Sequence, residues 1–67
     1  MKYSDNKITY IYQYLPVEHK TLYFNGTGWT EGRSNARLYT PADAEPMVRR
    51  MMLEHVHAKT GDIRNIR

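Results

Sequence analysis

Glu54, His55 and His57 are the residues of this chain whose types and spacing come nearest to chemistry. Neutral imidazole and carboxylate are common zinc ligands. On a helix, however, positions i and i+2 point about 200° apart, so His55 and His57 cannot turn toward one ion. Glu54 with His57 supplies only two ligands, short of the usual four. With no cysteine in the sequence, thiolate sites are excluded as well, and no metal is expected. His55 reads as a core-edge residue, and His57 as a surface residue near a helix C-terminus, where positive charge is favoured. A nucleophile would have to come from Ser4, Ser34 or a threonine, and none carries the signature of an activating base. Gly26-Thr27-Gly28 lacks the third glycine and the strand-turn-helix setting of a phosphate loop, so it reads as a turn. The expectation is a protein that is not an enzyme and needs no cofactor.

Aromatic spacing is the stronger signal. In the β-branched and aromatic run Ile8 to Leu15, a period of two places Tyr10, Tyr12 and Tyr14 on one face of a strand and Ile11 and Leu15 on the other. If a helix covers Ile11 and Leu15 together with Leu22 and Phe24, the tyrosines face outward, joined by Tyr23 from the neighbouring strand. Such a row suits base stacking or anchoring on a protein, and Arg37 is its candidate cation. A second candidate surface is a helix face on which Leu53 is flanked by Arg49, Arg50 and His57.

The elements that must position these residues follow from turn and cap chemistry. Pro16 to Lys20 is a polar connection that ends the first strand. Thr21 to Phe24 forms a second strand, and Asn25-Gly26 after it is a favoured pair for a tight hairpin turn with positive φ. Ala36 to Tyr39 is the third strand candidate, and Trp29 is placed to close the end of a small core. Thr40-Pro41-Ala42-Asp43 opens a helix with a cap, a proline at the first position and an acid in the first turn. Pro46 leaves two starts open, a helix from Pro41 that bends at Pro46, or one capped by Asp43. Ala44, Met47, Val48, Met51, Met52 and His55 form the apolar stripe, and Gly61 is the expected helix stop. Residues 62–67 then have two readings, a short final edge strand or a frayed tail, since Ile63 and Ile66 are out of phase for a strand.

The expected fold is therefore α+β over a single domain, residues 1–67: a two- to three-stranded antiparallel sheet against one C-terminal amphipathic helix, with room for a final edge strand. Ten Lys and Arg against seven Asp and Glu give a formal charge of +3. The surplus lies in the last third, where Arg49, Arg50, Lys59, Arg64 and Arg67 outweigh Glu54 and Asp62. No run approaches the roughly 18 apolar residues that span a bilayer, and no apolar stretch follows the first lysine, so no membrane partner and a cytoplasmic location are expected.

The segments Gly28-Trp29-Thr30, Ala36-Arg37-Leu38-Tyr39 and Thr40-Pro41-Ala42-Asp43-Ala44-Glu45 together resemble a pattern of small phage and prophage accessory proteins. In that pattern a strand carrying tryptophan precedes a short strand and a helix opening with an alanine-acid pair. The resemblance spans about residues 22–56 and departs at Pro46, where such helices continue unbroken. It implies a binding protein in the host cytoplasm that docks on a host or defence protein or nucleoprotein complex, with anti-CRISPR inhibition among such roles. It carries over no active residue. Composition alone keeps two other classes open: a small basic nucleic-acid-binding regulator and a homodimer through the tyrosine face or a sheet edge.

Overall fold

The computed structural model describes residues 7–63. Its strands are β1 (Thr9–Leu15), β2 (Lys20–Phe24), β3 (Trp29–Thr30) and β4 (Lys59–Asp62), and its α-helix is α1 (Pro41–Leu53). The strands form one antiparallel sheet in the order β3-β2-β1-β4, and the helix packs on one face, so the chain has the α+β fold expected of it.

The alternation in β1 sets which side chains meet the helix. Ile11 is fully buried and Thr9 nearly so, whereas Tyr10 and Tyr12 on the opposite face are half-exposed. Ile11, Ala44 and Ala58 form the buried centre, ringed by Phe24, Trp29, Tyr39, Met47, Val48, Met51 and Val56. Two alanines at the centre let the helix and the chain entering β4 come close to the sheet. The helix covers Ile11 and Phe24, but Leu15 and Leu22 stay half-buried outside this cluster, so the far half of the β1–β2 hairpin extends past the core.

The third strand is Trp29–Thr30 rather than the expected Ala36 to Tyr39. The latter segment instead continues the ladder where β2 ends. Arg37 donates its N–H to the Phe24 carbonyl (2.9 Å), and Thr9 and Tyr39 exchange two backbone bonds of 2.9 and 2.7 Å. Between β2 and β3 the turn is a four-residue loop, not the tight two-residue turn expected, with positive φ at Gly26 (104°) but not at Asn25. Asn25 acts through its side chain: Oδ1 accepts from the N–H of Thr27 (2.9 Å) and of Gly28 (2.8 Å) and from the Thr27 hydroxyl (3.1 Å). Lys20 and Glu31 join β2 to the residue after β3 by an exposed 2.7 Å ion pair.

Thr40 is the helix cap, its Oγ1 accepting from the Asp43 N–H at 3.2 Å, with Pro41 at the first helical position. Pro46 lies within the continuous helix. The carbonyl it leaves without an intrahelical donor belongs to Ala42, an exposed residue, so water can serve it.

The helix stops at Leu53, well before Gly61. His55 adopts the left-handed conformation (φ 66°), its N–H bonds the Met52 carbonyl (3.0 Å), and the Val56 N–H bonds the Met51 carbonyl (2.9 Å). These are the paired bonds of a Schellman stop, in which the left-handed position is usually glycine. His55 is therefore an exposed backbone-reversal residue, not a core-edge one, and His57 lies beyond the helix, so it does not belong to the helix face assigned to it. Gly61 falls inside β4, which starts three residues before the expected edge strand; Arg64 to Arg67 lie outside the described residues. Replacing His55 by glycine removes a side-chain clash worth about 1 kcal/mol, offset in part by greater freedom of the unfolded chain. His55→Gly is expected to raise the thermal midpoint by a few degrees and His55→Val to lower it, followed through Trp29 emission; equal midpoints would remove this role from His55.

Candidate functional site: a tyrosine-covered sheet face

Antiparallel register places directly opposed residues on the same face. Tyr12 faces Tyr23 on β2 and Lys59 on β4, Tyr14 faces Thr21, and Tyr23 faces Thr30 on β3. The ring centroids of Tyr10 and Tyr12 are 5.6 Å apart, and those of Tyr10 and Tyr23 are 5.8 Å apart. The sequence-derived group Tyr10, Tyr12, Tyr14 and Tyr23 is thus brought together on the face opposite the helix, with Tyr14 the most open at 54% exposure.

Gly61 makes this arrangement possible. A Cβ there would fall 2.5 Å from Tyr10 Cζ and 2.6 Å from its Oη, so the phenol end of Tyr10 lies over β4 where a side chain would otherwise stand. The same contact withdraws the hydroxyl from water. Burial first, and then the neighbouring Tyr12 and Tyr23 phenols, raise the Tyr10 pKa above the ordinary tyrosine value, with Arg33 pulling the other way. The folded state therefore holds this proton more tightly than the unfolded chain. That contribution to stability is intact below about pH 10 and is lost as pH rises through the higher folded value. In a phenolate absorbance titration of the folded protein, Tyr10→Phe is expected to remove a component that titrates above the ordinary tyrosine value; a titration in which that component survives would contradict it.

Arg37 does not join the tyrosines. Its guanidinium lies 5.8 Å from the centroid of Tyr39, whose ring packs on the core, and its chain runs against Gly26. Tyr39 opposes Thr9 in the ladder, so this pair belongs to the helix side of the sheet. The arginine beside the tyrosines is Arg33, which lines a hollow of about 120 Å³ with Tyr10, Ser34, Ala36, Leu38 and Ile63. Lys59 is the second cation of this face, opposite Tyr12. Neither was visible as a site residue from local spacing. Lys59 could be recognised only by treating Lys59 to Asp62 as a strand.

Of the helix-face residues, Leu53 is 80% exposed, and Arg49 makes only a long 3.9 Å contact with Glu45. Arg50 turns toward a groove of about 640 Å³ between helix and hairpin, floored by Phe24, Trp29, Met47 and Met51 with Glu54 also at its wall. Hydroxyl bonds serve turns and caps: Thr27 to Asn25, Thr30 from the Gly32 N–H and Thr40 from the Asp43 N–H. Among the described residues no three histidines, aspartates or glutamates stand close enough to hold a metal, and no helix is long and apolar enough to cross a membrane.

Fold and face together define a small α+β sheet protein with one side closed by a helix and the other open and aromatic. No protein-family model matches the chain, and no curated protein or solved structure shows significant similarity to it.

Proposed function

We propose that this chain is a non-enzymatic docking module, a phage- or mobile-element-type accessory protein that seats its tyrosine face on a host or defence nucleoprotein complex and inhibits or modulates it. The observation that carries this reading is the group Tyr10, Tyr12, Tyr14 and Tyr23 on a hydrogen-bonded sheet, on the face away from the helix. Tyrosine offers large contact area and a polar tip at little cost in side-chain entropy, which is why it anchors binding surfaces. Support for the host-directed part comes from the resemblance around Trp29, Tyr39 and Thr40; the cysteine-free sequence suits a reducing cytoplasm.

Immobilised protein is challenged with bacterial lysate at moderate salt, beside a Tyr12→Ser/Tyr14→Ser variant whose folding is verified through Trp29 on the opposite face. The expected result is a complex retained by the unaltered chain and lost by the variant. Recovery of no partner, or equal recovery by both, would end this reading.

A further inference from the structure

The open face has a charge character of its own. Asp62 is the acidic residue within the strands, and it opposes Thr9, which shares the helix face with Ile11. The tyrosine side carries Lys59 opposite Tyr12 and Arg33 beside Tyr10, and none of its strand residues is acidic. Aromatic rings flanked by cations, with no strand carboxylate among them, complement an anionic occupant that also has flat apolar surfaces.

Ring geometry narrows the class further. The centroids stand 5.6 and 5.8 Å apart, and the planes of neighbouring rings are tilted by 38° and 47°. Stacked bases follow one another at about 3.4 Å in parallel planes. Two bases cannot remain stacked on each other while each lies on its own ring here, so the occupant must have its bases splayed. A duplex keeps its bases inside the stack and would meet this sheet only through its backbone, whereas an unpaired strand can turn its bases onto aromatic side chains.

Resting on the docking reading above, we propose that the component this face engages is a single-stranded segment of nucleic acid, its bases laid on Tyr10, Tyr12 and Tyr23 and its phosphates held by Arg33 and Lys59. Gly61 is part of the device, because it leaves the space over which Tyr10 lies. Two cations make the electrostatic share small. Each phosphate contact to a single strand contributes about 0.7 to the slope of log affinity against log salt, so a slope near −1.4 is expected. Stacking supplies the rest.

The test is fluorescence anisotropy of a labelled oligothymidine of about 12 nucleotides, within the span that one sheet domain occupies. A hairpin duplex and polyglutamate are the comparison probes. Tyr12→Ala and Tyr23→Ala are each expected to weaken oligothymidine binding roughly 5- to 150-fold, the range measured for loss of one stacked base. Tyr12→Phe should bind within about twofold of the unaltered chain, because the ring that stacks is retained. Lys59→Ala should make the salt slope shallower by about 0.7. Trp29 emission, read from the other side of the sheet, confirms that each variant is folded.

No binding at low salt, equal binding by folded Tyr12→Ala, or equally tight binding of duplex or polyglutamate would overturn the assignment. Its failure is separable from failure of the docking reading. If tyrosine-dependent capture persists in nuclease-treated lysate while oligothymidine does not bind, the occupant is a protein and docking stands. If capture is indifferent to Tyr12 and Tyr14, docking itself falls.

Discussion

Ile11→Ala is expected to lower the folding stability more than any other single truncation of the core. Ile11 is the one large side chain among the described residues that is fully buried, and it sits on β1 between β2 and β4, beneath the helix. Its neighbours at the centre are two alanines, which have no spare length to fill the space left behind. Truncating a buried isoleucine to alanine costs about 2–5 kcal/mol, with the higher end reached where the cavity cannot collapse. A chain of 67 residues has a total stability on the order of 3–10 kcal/mol. The substitution therefore removes a large share of it. Urea unfolding followed through Trp29 should show a midpoint lowered by at least about 1 M, or no folded baseline. Ile11→Val, which leaves most of the side chain in place, should cost only about 0.5–1.5 kcal/mol. If the alanine variant behaved like the valine one, the stability of this fold would have to lie elsewhere.

Ala44→Leu is expected to have the next largest effect, in the opposite steric sense. Ala44 is fully buried in the helix, where it lies against Ile11 and Ala58. Leucine and alanine differ little in helix propensity, so the substitution leaves the helix itself almost unaffected and adds bulk only at the contact. Overpacking of this kind costs about 1–3 kcal/mol. The helix must lift from the sheet to admit the extra carbons, which also disturbs Met47 and Val48 one turn on. Ala42→Leu supplies the control, since Ala42 lies two residues earlier in the same helix but is exposed and should change stability by less than about 0.5 kcal/mol. Equal stabilities of Ala44→Leu and Ala42→Leu would show that the helix does not approach the sheet through Ala44.

Features written in local alternation and cap chemistry were legible before the structure. The period of two in β1 separated Ile11 from Tyr10, Tyr12 and Tyr14, and one helix can cover only one face, so the open tyrosine face followed from choosing the more apolar set as core. Thr40 and Pro41 offered one of two helix starts, the other being a cap at Asp43, and the helix takes the first. Its end was hidden because the left-handed position is filled by His55, while a glycine six residues later offered a more familiar stop. That one displacement moves Gly61 from cap to strand and brings Lys59 onto the tyrosine face. The two-residue β3 is too short for any periodicity, and only its pairing with Tyr23 and Phe24 defines it. Arg37, the expected cation of the tyrosine row, lies toward the helix side instead, since Ala36 to Tyr39 enters the ladder through Tyr39 and Arg37 turns with it. Pairings such as Tyr12 with Lys59 join residues far apart in the chain, and no local pattern specifies them.

The uneven reach of the helix has one further consequence. Phe24 and Ile11 are held in the core, but Leu15 and Leu22 are not, and between them the hairpin runs out to the exposed loop at Pro16 to His19. Local opening takes the easiest route, through segments with few buried apolar contacts. The hairpin tip can therefore fray and re-form while the helix and β4 stay in place, giving this small chain two levels of cooperativity rather than one. Tyr14 belongs to the loose level, and Tyr10, resting on β4, to the firm one.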